Sequence, residues 1–171
     1  MARVLRPAGF DEALRSLVEW KIAGAEQLVG CTPAEIAEVA ASVGGRLPES
    51  YAHFLRRAGR GAGWFFGDSD FYYPELLSLR DMAAGLLRGA GLELKATELP
   101  FATHEGYQLL SFDAAAGDDP PVSRYLEGDP RPRVVAPSFS TWFIDTVCEE
   151  LRCGTPPPGP FRRLLSGLGW S

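Results

Sequence analysis

The sequence predicts an α+β fold in a single domain: a mostly antiparallel sheet of about half a dozen strands, with N-terminal helices and a late helix packed around it. Helical patterns occupy the first third of the chain, short apolar segments separated by turn residues occupy 92–137, and one more helical pattern follows. Strands joined by short turns pair antiparallel, because a parallel crossover needs about a dozen residues or more. The order of these patterns therefore predicts the architecture.

Two helices are predicted in the first quarter of the chain. The first covers 11–22, where apolar residues recur at helical spacing and Asp11 is a candidate N-cap residue. The second has the clearest start signal in the sequence. Thr32 suits the N-cap position, Pro33 the first helical position and Glu35 the third, which together make a capping box. A pair of glycines predicts where this second helix ends.

A third helix follows after a very short turn. Pro48 suits its first turn, and Tyr51 and Phe54 lie with later apolar residues on one helical face. A glycine-rich turn comes next, and the bulky residues 64–66 predict a strand. Because further aromatic residues surround a cluster of turn residues, we expect a hairpin or two short strands between 63 and 79.

The remainder of the chain shows a helix pattern, a series of strand patterns and a last helix. Ser78 and Asp81 are spaced as the N-cap and third residues of the first of these helices. Strand patterns bounded by turn residues follow at 99–102, 107–112, 122–127 and 134–136. Ser138 is placed to cap the last helix. Its predicted inward face contains Phe139, Trp142, Phe143, Val147 and Leu151.

Four motifs in this order resemble the SUKH superfamily. The first is a helix followed by G-x-L-P-x-x-Y-x-x-F-L, which is carried by Gly45, Leu47, Pro48, Tyr51, Phe54 and Leu55. The later motifs are Leu99-Pro100-Phe101-Ala102, then Gly106-Tyr107 with Leu110-Ser111-Phe112-Asp113 and Pro121-Val122, and finally Ser138-Phe139 with Trp142-Phe143. The resemblance covers 32–151 and implies the same α+β arrangement.

The resemblance also implies a function. Many bacterial members of the superfamily are immunity proteins, which bind and neutralise polymorphic toxins, often nucleases, whereas fungal members regulate cell-wall synthesis. This implies a non-enzymatic, protein-binding domain and transfers no catalytic residue to the chain. The alternative within the same class is a binding or scaffold module for an endogenous cytosolic partner.

Composition and charge narrow the class of protein further. The 171 residues are 46% hydrophobic, which fits one globular domain with a substantial core. With 17 basic and 22 acidic residues the net charge is -5, which argues against nucleic acid as a partner and fits a basic protein such as a toxin domain. We expect a monomer or a weak homodimer that binds a protein partner.

The cysteines and the hydropathy predict a cytoplasmic protein. Cys31, Cys148 and Cys153 form neither a disulfide framework nor a zinc motif, which is typical of free thiols in a reducing compartment. No apolar run reaches the roughly 18 residues that cross a membrane, and no secretion signal begins the sequence. Residues 1–154 are predicted to form the domain. Residues 155–171 are predicted to be a proline-rich spacer with an apolar tail, which either packs on the domain or docks on a partner.

One pair of residues in the sequence is a candidate for catalysis. His104 lies beside Glu105 in a predicted turn, and a histidine oriented by a carboxylate can act as a general base, so a hydrolase is a third hypothesis. The sequence contains no nucleophile-elbow, zinc-protease or phosphate-loop motif. We therefore predict no catalytic, cofactor-binding or metal-binding residues.

The remaining candidate site is a surface. Acidic residues gather in the predicted loops, and antiparallel strands bring some of these loops together at one end of a sheet. Exposed tyrosines in an acidic rim would make an interaction site, because aromatic residues anchor interfaces and charges set the rate of encounter. The alternative is a set of ordinary solvated turns. The predicted partner-binding residues are Asp68, Asp70, Tyr72, Tyr73, Glu75, Asp118, Asp119 and Tyr125.

Overall fold

The computed structural model describes residues 7–153, so the predicted tail lies outside the described residues. Five α-helices, seven strands and two 3-10 helices occur in this range. In chain order they are α1 (Phe10–Glu19), a 3-10 helix (Ala25–Gln27), β1 (Leu28–Val29), α2 (Pro33–Ala41), α3 (Glu49–Ala58), β2 (Gly61–Ala62), β3 (Ser69–Asp70), a 3-10 helix (Glu75–Ser78), α4 (Leu79–Gly89), β4 (Glu98–His104), β5 (Gln108–Asp113), β6 (Val122–Leu126), β7 (Arg133–Ala136) and α5 (Phe139–Arg152).

The strands form two antiparallel sheets. The main sheet has five strands in the order β3-β4-β5-β6-β7, and β1 pairs separately with β2. Every pairing within the described range is antiparallel, so the predicted α+β architecture is confirmed. The strand patterns predicted after residue 92 correspond to β4, β5, β6 and β7.

One face of the main sheet carries an aromatic core. Phe101 of β4 and Phe112 of β5 stack with their ring centroids 5.4 Å apart. Phe139 of α5 meets Phe101 edge-on at 5.4 Å, and Tyr51 of α3 lies 5.1 Å from Phe112. All four side chains are fully buried. Because each buried aromatic ring removes about 150–250 Å² from water, these contacts hold α3 and α5 against the sheet.

α4 covers part of the opposite face. Its residues Ala83 and Leu87 pack with Leu109 of β5 and Tyr125 of β6 in a separate buried cluster. Tyr125 is only 2% exposed, because it lies directly opposite Leu109 in the β5–β6 pairing and packs against α4. The prediction that Tyr125 is an exposed contact residue is therefore wrong.

The aromatic segment after α3 is a turn where a strand was predicted. Residues 63–68 form turns between β2 and β3, which pair with β1 and β4 and do not form a hairpin together. Gly63 has a φ of +60°, and a Cβ atom there would lie 2.6 Å from the Cα atom of Ala23, so the close approach requires glycine. Phe65 is fully buried and lies 5.4 Å from Phe143 of α5. The large Phe65 side chain therefore fills the core although its backbone lies in a turn.

The helix starts confirm two of the predicted caps and correct two others. At α2 the hydroxyl of Thr32 accepts a hydrogen bond from the Glu35 backbone N–H at 3.3 Å, and the Glu35 carboxylate accepts one from Thr32 at 2.9 Å. Ser138 likewise caps α5. Ser78 does not cap α4, because its hydroxyl donates to the Glu75 carbonyl oxygen at 2.8 Å within the 3-10 helix that runs into α4.

α1 begins after Gly9, so Asp11 is not its cap. Asp11 instead lies in the first turn, with its Oδ1 atom 3.0 Å from Nε2 of His53 on α3. Arg57 of α3 lies 3.6 Å from the same oxygen. The hydrogen bond with His53 lowers the pKa of the Asp11 carboxyl, so this contact favours the charged form and ties α1 to α3.

We expect Tyr51→Phe to raise the free energy of unfolding by about 1 kcal/mol. The Tyr51 hydroxyl is buried without a hydrogen-bond partner in the described part of the chain, and such a group costs about 1–3 kcal/mol. Tyr72→Phe is the matched control, because the Tyr72 hydroxyl donates to the Phe65 carbonyl oxygen and its loss should destabilise the protein. Urea denaturation measures both variants, and equal losses of stability would contradict the expectation.

The Asp113 carboxyl joins the end of β5 to the chain before β4. It accepts hydrogen bonds from the Thr97 hydroxyl at 2.7 Å and from the Ala115 backbone N–H at 3.0 Å, and Lys95 lies 3.7 Å away. The Thr97 hydrogen bond is the main cause of the lowered pKa of Asp113. A carboxyl whose folded-state pKa is lowered adds stability above its unfolded-state pKa, about 4, and this stability is lost as the pH falls through the folded-state pKa.

Asp113→Asn should therefore lower the free energy of unfolding at neutral pH and flatten its decline between about pH 4 and pH 2. Urea denaturation across this pH range measures the slope. Glu93→Gln is the control, because Glu93 is exposed and makes no ion pair within residues 7–153, and it should keep the wild-type slope. An unchanged slope in Asp113→Asn would show that the hydrogen bonds do not favour the charged carboxyl.

Candidate functional site

Three turns meet at one end of the main sheet and bring acidic residues together. Ser69 of β3 lies opposite His104 at the end of β4, and Gln108 at the start of β5 lies opposite Leu126 at the end of β6. The backbone N–H of Glu127 donates to the carbonyl oxygen of Tyr107 at 2.8 Å, which joins the turn after β6 to the β4–β5 turn. The exposed carboxylates of these turns, of β3 and of the start of the 3-10 helix after it are Asp68, Asp70, Glu75, Glu105 and Glu127, which we call the acidic rim.

The acidic rim carries negative charge that the described part of the chain does not neutralise. None of its five carboxylates forms an ion pair within residues 7–153. The Ser69 hydroxyl donates a hydrogen bond to the Asp68 carboxylate at 3.4 Å, which leaves the charge of Asp68 in place. Because like charges in one place raise the local negative potential, the rim attracts cationic groups.

Tyr107 supplies an exposed aromatic ring within the acidic rim. Its side chain is 42% exposed, and its ring centroid lies 6.1 Å from that of His104 in an edge-on arrangement. The sequence pattern predicts Tyr107 in a strand and gives no sign that it is a contact residue. Its position directly after Glu105 and Gly106, both with positive φ, shows that it belongs to the tight turn, which the sequence signalled only through the glycine.

A shallow depression of about 320 Å³ lies beside β3, with Asp70 and Glu75 in its lining. Tyr72 forms part of its wall, but the Tyr72 hydroxyl is committed to the carbonyl oxygen of Phe65. Burial raises the pKa of Tyr72 well above its usual value, so the phenol remains protonated. The Tyr72 hydroxyl therefore stabilises the turn that contains Phe65, and the ring is the part of this side chain that can contact a partner.

Tyr73 belongs to a network of contacts that the sequence did not reveal. Its hydroxyl donates to Glu38 of α2 at 2.7 Å, and the guanidinium of Arg60 lies 5.4 Å from the centre of its ring. Arg60 also pairs with Glu35, and it lines the depression. The hydrogen bond to Glu38 is the main cause of the raised pKa of Tyr73. Only the fold brings α2 next to this tyrosine, so sequence spacing gave no signal.

Asp118 and Asp119 lie at the opposite end of the sheet, in the β5–β6 loop. Asp118 pairs with Arg46 at 2.7 Å, and its carbonyl oxygen accepts from the backbone N–H of Ser50. The Asp119 carboxylate accepts from the backbone N–H of Ser140 at 2.9 Å, in the first turn of α5. Of the predicted partner-binding residues, Asp118 and Asp119 therefore lie apart from Asp68 and Asp70, because the β5–β6 loop leaves the sheet at its other end.

The geometry does not assemble the predicted histidine–carboxylate pair. Nδ1 of His104 lies 3.2 Å from the hydroxyl of Ser69, and no hydrogen bond links His104 to Glu105 in the described structure. The Asp68 carboxylate contacts Ser69 and does not orient the histidine. Within residues 7–153, no three histidine, cysteine, aspartate or glutamate side chains converge as metal ligands. None of the helices in the same range combines the length and hydropathy of a membrane span.

The fold defines a small α+β domain whose antiparallel sheet is covered by aromatic-rich helices. Residues 30–145 match the SMI1 / KNR4 family (SUKH-1), and the chain belongs to that family. This confirms the resemblance to the SUKH superfamily. A search of curated proteins found no match for the chain.

Proposed function

We propose that this protein is an immunity protein that neutralises a toxin by binding it directly in the cytoplasm, without catalysis. The single observation that carries the proposal is the acidic rim: five exposed carboxylates without ion pairs in the described structure, beside the exposed ring of Tyr107. Membership of the SMI1 / KNR4 family supports a binding role. The partner that fits this surface is a basic protein domain.

The rim has the features of a protein contact surface and lacks those of an active site. Aromatic side chains contribute much of the energy at protein interfaces, and charged residues at the edge of an interface speed association. The depression beside β3 is shallow and open, and its lining contains no histidine, cysteine or lysine. A nuclease toxin that binds phosphate with lysine and arginine would present the complementary charge.

Co-expression with a toxin encoded beside this gene tests the proposal. We expect the chain to restore growth and to co-purify with the toxin domain. If no neighbouring toxin is neutralised or bound, and affinity capture instead returns a housekeeping protein, the chain is a binding module for an endogenous partner. That alternative uses the same rim and differs in the identity of the partner.

The double variant Asp70→Lys with Glu75→Lys should weaken toxin binding by about tenfold or more at low salt, because it reverses two charges in the lining of the depression. Isothermal titration calorimetry with the purified toxin domain measures the affinity. Higher salt should reduce the affinity of the wild-type protein more than that of the variant, since screening removes an attraction that the variant has already lost.

The matched control is Glu19→Lys with Glu93→Lys, which makes the same change in net charge at exposed positions outside the rim. This control should bind like the wild-type protein. If both double variants lose affinity equally, net charge and not the rim determines binding.

A further inference from the structure

β7 forms the outer edge of the main sheet and carries exposed basic and apolar side chains. No strand within residues 7–153 pairs with its outer side. Val134 is 67% exposed and Val135 42%, and both are β-branched residues suited to a sheet. The exposed side chains of this region are Arg124, Arg131, Arg133, Val134 and Val135, which we call the β7 edge.

Two arginines of the β7 edge face each other across neighbouring strands. Arg124 of β6 lies directly opposite Arg133 of β7 in the register of the sheet. Like charges in this position destabilise a sheet unless an anion lies between them. Arg133 has a partner in Asp129 at 3.6 Å, whereas Arg124 makes no ion pair in the described part of the chain. The pair therefore carries a net positive charge, because only one of the two guanidinium groups has a carboxylate partner within the described residues.

We propose that the β7 edge binds an extended acidic segment of a partner protein, which adds to the sheet as an antiparallel strand. Backbone groups of the segment would pair with the outer side of β7, as in other complexes formed by strand addition. A carboxylate of the segment beside Arg133 would bind its guanidinium, because a guanidinium binds a carboxylate with two parallel hydrogen bonds, and the charge of Arg124 on the neighbouring strand would add to the attraction. Val134, which alternates with Arg133 along β7, would pack against an apolar side chain on the other face of the added segment.

The structure disfavours the other occupants of the β7 edge. Pro132 and Pro137 flank the strand and limit pairing to the few residues between them, which protects the edge against extended self-association. A second copy of this chain would bring two further arginines to the pair. The tail of the chain carries Arg162 and Arg163, so its charge has the same sign as the edge. An acidic strand is therefore the occupant whose charge complements that of the β7 edge.

This inference is independent of toxin neutralisation and of the acidic rim. The β7 edge has the opposite charge, and it would bind a different kind of segment. A protein that loses toxin binding through the rim variants should keep this second activity, so the two proposals fail separately.

Fluorescence anisotropy with the full-length chain tests the proposal. The probe is a labelled ten-residue peptide that alternates glutamate and threonine, and its control replaces glutamate with lysine. We expect the glutamate peptide alone to bind. Arg124→Glu with Arg133→Glu should weaken this binding by about tenfold or more. Arg15→Glu with Arg88→Glu, at exposed positions elsewhere, should leave it unchanged. Equal binding of both peptides, or equal losses in both double variants, would overturn the proposal.

A glutamate peptide with every backbone amide methylated separates strand addition from simple charge attraction. It keeps every carboxylate but cannot form the backbone ladder, so it should not bind. Its binding with unchanged affinity would overturn strand addition without the need for any protein variant. Analytical ultracentrifugation of the wild-type chain tests the remaining occupant: a dimer that Val134→Asp dissociates would assign the edge to a second copy and would also overturn the proposal.

Discussion

The packing of α3 and α5 on the sheet through a continuous set of aromatic rings is the constraint on which the rest of the structure depends. Phe139 is central to it, because its ring contacts those of Tyr51, Phe101 and Phe112. Both ends of the sheet are fixed through this contact. At one end Asp119 and Ser138 bind backbone N–H groups in the first turn of α5. At the other, Phe65 and Phe143 hold the turn that precedes β3.

The carboxylates at the two ends of the sheet differ in their interaction partners. Asp118 and Asp119 are bonded to Arg46 and to the start of α5, so they hold the β5–β6 loop in place. The carboxylates of the acidic rim have no such cationic partners within the described residues, and the loop that carries Asp68 and Asp70 is held by buried phenylalanines instead. Apolar anchoring therefore leaves the charges of the rim available for a partner, whereas polar anchoring uses the charges of the other loop.

Short sequence patterns predicted the elements whose structure depends on interactions between residues close together in the chain. The capping box at Thr32, the helix after Ser138 and the four later strands follow from hydrogen bonds and periodicity within short segments. The errors lie where distant parts of the chain decide the outcome. Residues 64–66 have strand propensity but turn so that Phe65 reaches the core, and Tyr125 is buried because α4 packs on the second face of the sheet. The candidate site shows the same division: the acidic loops were visible in the sequence, but the contact of Tyr73 with α2 and the exposure of Tyr107 were not.

Phe65 and Phe71 anchor the 63–75 segment in the core, whereas its exposed carboxylates Asp68, Asp70 and Glu75 form no ion pair within the described residues. Such a segment can exchange its exposed residues at little cost in stability, since surface substitutions away from special backbone positions change it by only about 0.5 kcal/mol. The same framework could then be redirected to a new target by altering a handful of positions. This would make the domain a practical starting point for engineered binders whose specificity resides in one short, rigidly mounted loop.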